Sequence, residues 1–370
     1  MRTILSAAAL AAVTMLSFVA CAGGGQKSNT TVTEPDEPEV MGKEWDLAKD
    51  TDVYITGYCR RLFKNGVTYR LDDKRIRFGT SVCVSGEDVY IACETEPPTL
   101  TSVPGALLCK NGAAVTLEGG LGSNYPARPH QVVVTSGGDV YVAGHINSRA
   151  VQWVNGKLQH LGNGNDNGQA TCAFASGNDV YVGGYELGVG AAWKNGVRQD
   201  WHLSLGDGRS SRVHSLFVSG DDVYAAMHDI VGTDDPRATG LFKDRPLLWK
   251  NGVFQKLPSN GVNGDVARSV FVSGKDVYII GEEYNERMVP LPVLWKNGVK
   301  QKLTDGSSHA WANSVAVLNG NVYIAGYQTE GSGVSAVHVP TLWINGEAVD
   351  LRPSGMTGMA WSVFLMEKGK

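Results

Sequence analysis

Residues 269–303 read SVFVSGKDVYIIGEEYNERMVPLPVLWKNGVKQKL, and this stretch carries the unit from which the chain is built. It holds two hairpins. SVFV and DVYIIG flank a Ser-Gly-Lys-Asp turn, while PVLW and VKQKL flank Lys-Asn-Gly. Asn-Gly between apolar runs favours a type I′ turn, because both central residues need φ > 0 and these two tolerate it best. The aspartate of the first turn can bond nearby backbone N–H groups. One unit is therefore four short antiparallel strands, called A, B, C and D below.

Working outward, the tyrosine of the [DN]-V-Y triplet recurs at Tyr54, Tyr90, Tyr141, Tyr181, Tyr224, Tyr278 and Tyr323, at a mean spacing near 45 residues. The Asn-Gly turn recurs at Asn65, Asn111, Asn155, Asn195, Asn251, Asn297 and Asn345. A four-stranded unit at this period predicts an all-β, seven-bladed β-propeller of antiparallel blades. The ends sharpen the reading. The first unit has strand B (Asp52–Gly57) with no strand A before it, and the chain finishes on Trp361–Met366, a strand A with no B after it. The C-terminal strand is expected to complete blade 1 and close the ring, which leaves no unpaired seam.

SGNDVYVGGYE (Ser176–Glu186) resembles the short repeats of bacterial propeller proteins and the strand-B end of kelch repeats, although only Gly183-Gly184 matches the usual kelch glycine pair. The LWKNG element is similar to that of exported Bacteroidetes-type propeller lipoproteins. The resemblance covers about residues 50–366 and implies a fold with little about activity, since propellers host unrelated functions.

Before the repeats, residues 1–20 read as an export signal: Arg2, then an apolar run from Ile4 to Ala20. Ser17-Phe18-Val19-Ala20-Cys21 resembles a bacterial lipobox, with Phe18 and Val19 departing from its usual residues. That resemblance implies a lipidated Cys21, a membrane anchor, and a place at the bacterial envelope, on the outer membrane facing periplasm or cell surface. Residues 21–43 are rich in Gly, Thr, Pro and acids and read as a flexible tether, with the propeller over 44–370. Net charge is −4 with no basic stripe, which argues against nucleic acid as a partner. Cys59, Cys83, Cys93, Cys109 and Cys172 lack any CxxC spacing and read as small buried hydrophobes. A monomer is expected.

Several sets of residues invite a chemical reading. Phe63, Trp153, Trp193, Trp249, Trp295 and Trp343 recur on strand C and could stack ligands, but a fixed repeat position for large aromatics points to packing between blades. Asp88, Asp139, Asp179, Asp222 and Asp276 are explained by turn bonding without metal. The loop 162–168, GNGNDNG, offers oxygen donors but lacks the terminal Glu of an EF-hand loop. No phosphate loop, GxSxG or HExxH occurs, so no catalytic residue, metal or cofactor is assigned.

Topology says where to look. The A–B and C–D turns share one face, the bottom, and repeat almost unchanged, so no concavity is expected there. The B–C and D–A connections share the top and vary, as binding loops on a rigid scaffold do. The longest B–C loops are expected at Glu94–Gly105, His228–Pro246, Glu282–Pro292 and Tyr327–Pro340. Two rings are expected to meet at the channel mouth. Just past strand B lie Tyr58, Glu94, His145, Tyr185, His228, Glu282 and Tyr327. Just before strand A lie Thr80, Gln131, Thr171, His214, Arg268, Asn313 and Trp361, with Trp311 nearby. Of these, Tyr58, Glu94, His145, Tyr185, His214, His228, Arg268, Glu282, Trp311, Tyr327 and Trp361 are the candidate ligand contacts. The preferred reading is a non-enzymatic binding propeller whose top face takes a glycan or a protein. The rival is a secreted carbohydrate-active lyase or hydrolase using His145, His228, Tyr185 or Tyr327 as acid or base.

Overall fold

The computed structural model describes residues 39–40, 50–57, 60–97, 99, 102–122, 124–162, 167–206, 210–232, 242–260, 264–331, 335–352 and 357–368. Cys21, Tyr58, Cys59, the export signal and positions 163–166 of the Gly/Asn loop lie outside the described residues. Seven antiparallel sheets follow one another, each ordered A-B-C-D. Blade 6, which holds the opening stretch, comprises Val266–Ser273, Asp276–Tyr284, Pro290–Lys296 and Val299–Lys302. Ala360–Glu367 pairs antiparallel with Thr51–Gly57, Phe364 opposite Tyr54, and supplies the missing strand A of blade 1. Successive A strands pack side by side through all seven blades and back to the first, so the ring closes.

Blade 1 departs from expectation at its rim. Glu39–Val40, assigned to the tether, pairs with Val67–Thr68 as a fifth strand. The outer strand of any blade presents unpaired N–H and C=O groups, and a passing extended segment can satisfy them.

The core lies between blades. Trp153, Trp193, Trp295 and Trp343 are wholly buried, and Phe63 and Trp249 nearly so. One cluster joins Tyr278, Ile280 and Leu294 of blade 6 to Val315, Val317 and Trp343 of blade 7. The strand-C aromatics are therefore packing groups. Burying such a ring stabilises by about 2–3 kcal/mol. Cys83, Cys93, Cys109 and Cys172 are buried and free. Burial pushes the Cys83 thiol up to about 11 and that of Cys172 to about 12.

At the bottom, the turn aspartates bond the other hairpin rather than their own turn. In blade 6, Asn297 Nδ2 donates to Asp276 Oδ1 at 2.8 Å, and Asn297 Oδ1 accepts the Val277 N–H at 2.8 Å. Lys296 Nζ adds an ion pair to Asp276 at 3.1 Å. The same clasp joins Asn65 to Asp52, Asn111 to Asp88, Asn195 to Asp179 and Asn251 to Asp222. Each of these asparagines sits at φ between 46° and 51°, the left-handed conformation the turn requires. The Lys-Asn-Gly and Asp-Val-Tyr motifs thus recur together because each holds the other.

Nearer the axis a second device ties blade to blade. Val270 N–H donates to Ser215 Oγ, Val315 N–H to Ser269 Oγ, and Val363 N–H to Ser314 Oγ, at 3.2–3.3 Å. Val82 reaches Ser362 and Val132 reaches Ser81 in the same way, while Ala173 uses Gln131 Oε1 at 3.1 Å. Cys172 fills this position in blade 4, its thiol facing the Leu216 backbone. The result is a polar collar around the channel. It crosses the join between the two chain ends, since Ser314 belongs to blade 7 and Val363 to the C-terminal strand.

Candidate functional site

Each A strand carries a one-residue bulge above the collar. The register skips Trp361, Thr80, His130, Thr171, His214, Arg268 and Asn313 in blades 1 to 7. A bulge leaves one residue unpaired and re-aims its side chain. All seven line a polar cavity of about 140 Å³ at the axis, with the collar beneath them. A glycine on strand B accommodates the bulge in several blades. At Gly281 a Cβ would lie 1.8 Å from the Val266 carbonyl oxygen, so any side chain would collide with the displaced strand.

The residues expected before strand A are therefore inside it, and they do converge on the axis. One position shifts: in blade 3 the bulge residue is His130, one before Gln131. His130 is the lining group that the sequence reading missed. The signal that finds it is the strand-B glycine, Gly144, which opposes Pro129 across the bulge.

The residues expected past strand B, Tyr58 aside because it lies outside the described residues, are also inside a strand. The B–C hairpins continue as paired ladders, with Glu94 opposite Ala106, His228 opposite Pro246, Glu282 opposite Pro292 and Tyr327 opposite Pro340. The expected long loops are correspondingly shorter, because extended residues at these positions satisfy their own backbone groups across the hairpin. This layer is buried. Glu94, His145, His228, Glu282 and Tyr327 are 1–8% exposed, so they stand behind the bulge residues instead of lining the mouth.

The two layers are bonded to each other. His130 Nε2 lies 3.0 Å from His145 Nδ1, and His214 Nε2 lies 2.7 Å from His228 Nδ1. Arg268 forks onto Glu282, its Nε donating to Oε2 at 2.6 Å and its Nη2 to Oε1. Glu94 is held by Arg128 at 3.2 Å and Arg77 at 3.7 Å. Trp311 stacks on Tyr327 at 4.8 Å, with His338 edge-on to the tyrosine at 4.9 Å. Half-buried Tyr185 carries the Arg212 guanidinium 4.7 Å above its ring. Trp361 packs near Phe78, and its buried Nε1 has no hydrogen-bond partner among the described residues.

Burial keeps all four imidazoles neutral. Desolvation, then the neighbouring histidine and Arg128, lowers His130 to about 3; desolvation and Arg128 lower His145 to about 4. His228 falls to about 4 through burial, then Arg212 and Arg268, and His214 is likewise well below its ordinary value. Burial raises Glu282 and Asp244, opposed in each case by nearby arginine charge. Asp244 Oδ1 lies 3.6 Å from His228 Nε2. A carboxylate there favours the proton on His228 Nε2, so that Nδ1 accepts from His214 Nε2–H and His214 Nδ1 keeps its lone pair. Among the described residues no group of three His, Cys, Asp or Glu side chains is placed to hold a metal.

No protein-family model matches the sequence, and no curated protein matches it. Several solved structures align with much of the chain. A candidate 6-phosphogluconolactonase from Bacteroides fragilis is 13% identical, aligned over 87% of this chain and 100% of its own, with a TM-score of 0.46. A puromycin-hydrolyzing peptidase from Mycobacterium tuberculosis is 13% identical over 76% of this chain and 54% of its own, with a TM-score of 0.43. The β-propeller domain of the Trilobed protease from Pyrococcus furiosus is 11% identical over 75% of this chain and 97% of its own, at 0.37. These likenesses concern the fold alone.

Proposed function

We propose that the protein is a binding propeller whose channel mouth recognises the polar end of a glycan. One observation carries the reading: seven bulges aim side chains of five different types into one polar cavity, while the turns at the opposite end repeat almost unchanged. Hydroxyl, imidazole, guanidinium and amide groups there offer directed hydrogen bonds, and the indole of Trp361 offers an apolar face for a sugar ring. The histidines and Arg268 are fixed from behind by His145, His228 and Glu282, so little ordering cost is left for binding.

A glycan array probed with the purified protein tests this. Trp361→Ala, with an unchanged melting temperature, is expected to weaken capture about tenfold. Capture that survives Trp361→Ala but disappears on changing the Lys-Asn-Gly clasps would move the site to the other end. If the array is silent and a pull-down retains a protein at the mouth, the glycan reading fails.

The Asp244–His228–His214 series favours one second reading, acid–base chemistry in the same mouth with His214 Nδ1 as base. Incubation with captured glycans decides it. New chain ends that vanish in His214→Gln would make the protein an enzyme, and intact ligand would leave it a binder.

The lipobox-like Ser17–Cys21 segment adds the proposal that Cys21 carries lipid and holds the propeller at a bacterial envelope. Cys21→Ser should release the protein from the membrane fraction. An unmodified mass for the mature N-terminus would rule out the anchor.

A further inference from the structure

Below the serine collar the channel widens into a chamber of about 430 Å³, where the repeated bottom turns had suggested no concavity. Its wall is set by one repeat position, two residues after the collar. Phe364, Phe174, Phe217 and Phe271 occupy it in blades 1, 4, 5 and 6, and Cys83, Val133 and Ala316 in blades 2, 3 and 7. Phe174, Phe217 and Phe271 form a continuous aromatic wall, with centroids 4.6 and 4.8 Å apart. These three rings and Phe364 are only half-buried, unlike the strand-C aromatics. Keeping apolar area open costs about 25 cal/mol per Å², and the space arises because three blades carry small residues where four carry phenylalanine.

The collar makes the upper end of the chamber polar, while Ser85 lies at its lower end. Ser215, Ser269, Ser314 and Ser362 line both the chamber and the mouth above. Each serine oxygen already accepts a neighbouring blade's N–H, which leaves its O–H and one lone pair to offer the channel. Four hydroxyl groups that can each donate therefore ring the axis above an apolar wall.

We infer that this chamber is a second ligand site, distinct from the mouth, taking a small molecule with an apolar chain and a single carboxylate, in the manner of a medium-chain fatty acid. The chain lies against Phe174, Phe217 and Phe271 and the carboxylate accepts from the collar serines. The volume falls within the range of small-molecule pockets, and apolar lining with a few convergent polar groups is their usual composition.

Calorimetric titration of the full chain with decanoate, and with decanol as the neutral-headed control, tests the assignment. Decanoate is expected to bind with an enthalpy that grows more negative on warming, the mark of apolar burial. Ala316→Phe and Val133→Phe each install the residue that four other blades carry at this position, and together they should weaken decanoate at least tenfold. If the double variant melts early, Ala316→Phe alone should still lower affinity severalfold. Ser269→Ala should weaken decanoate more than decanol. Trp361→Ala, which alters the mouth, should leave decanoate binding unchanged. Absence of heat with decanoate, full affinity in well-folded filled variants, or loss of binding in Trp361→Ala would overturn the inference.

Discussion

The two ends of the channel are made from the same strands and obey different rules. At the bottom, Asn, Asp and Lys of adjacent turns satisfy one another within a blade, and blades 1, 2, 4, 5 and 6 use the same three residue types. At the top, the bulge residues are Trp, Thr, His, Thr, His, Arg and Asn, and their partners come from a buried layer that varies with them. The difference teaches where freedom lies in a repeat. A residue that completes a local hydrogen-bond circuit is fixed by that circuit. A residue expelled by a bulge answers only to the channel and to whatever enters it.

Removing the strand common to both ends should have the largest effect. Deleting residues 360–370 strips blade 1 of its inner strand and breaks the collar between Ser314 and Ser362. The truncated chain is expected to lose its cooperative thermal transition. A transition like that of the full chain would mean that closure contributes little.

Acid should then separate the ends. His130, His145, His214 and His228 have folded values below the unfolded value of about 6.5, so the unfolded chain takes up protons first and acid favours unfolding. Their contribution is fully present above about pH 6.5 and is lost as pH falls, down to folded values of about 4 for His145 and His228 and about 3 for His130. Melting temperature should therefore drop across this window, and the drop should shrink in a His130→Gln/His145→Gln variant. An equal drop in that variant would show that the histidine layer is not what titrates.

Breaking one top pair comes next. Arg268→Leu leaves the carboxylate of Glu282 buried and unpaired, at a cost of about 3 kcal/mol. This is the low end for buried pairs, because the Arg268 side chain is 35% exposed. Adding Glu282→Leu should recover most of the loss in chemical denaturation. A double variant as unstable as the single would deny the coupling. The smallest effect belongs to one bottom clasp: Asn297→Gly keeps the left-handed turn and removes only the side chain, and should cost about 1–2 kcal/mol. Ligand capture at the mouth should not change, and a change there would show that the ends communicate.

The sequence by itself determined the blade count, the order of strands and the closure. These follow from short-range signals: Asn-Gly turns, Asp-Val-Tyr starts, and apolar runs at successive positions such as Val270-Phe271-Val272, which must be covered on both faces. It also placed Trp153, Trp193, Trp295 and Trp343 in the packing between blades, because one residue type at one repeat position meets one environment. The site was legible only as a zone. Glu94, His145 and Glu282 looked like mouth residues and proved to be the buried layer behind it, since a period-two strand reading cannot register an extra residue in the partner strand. His130 was displaced from view by the same single-residue bulge. The collar and the apolar chamber could not be read at all, for they exist only between residues some 50 positions apart or at opposite ends of the chain, such as Ser362 and Val82. Local chemistry writes the turns and the blades; closure of the ring decides which side chains share the axis, because that is where seven separate strands first come within reach of one another.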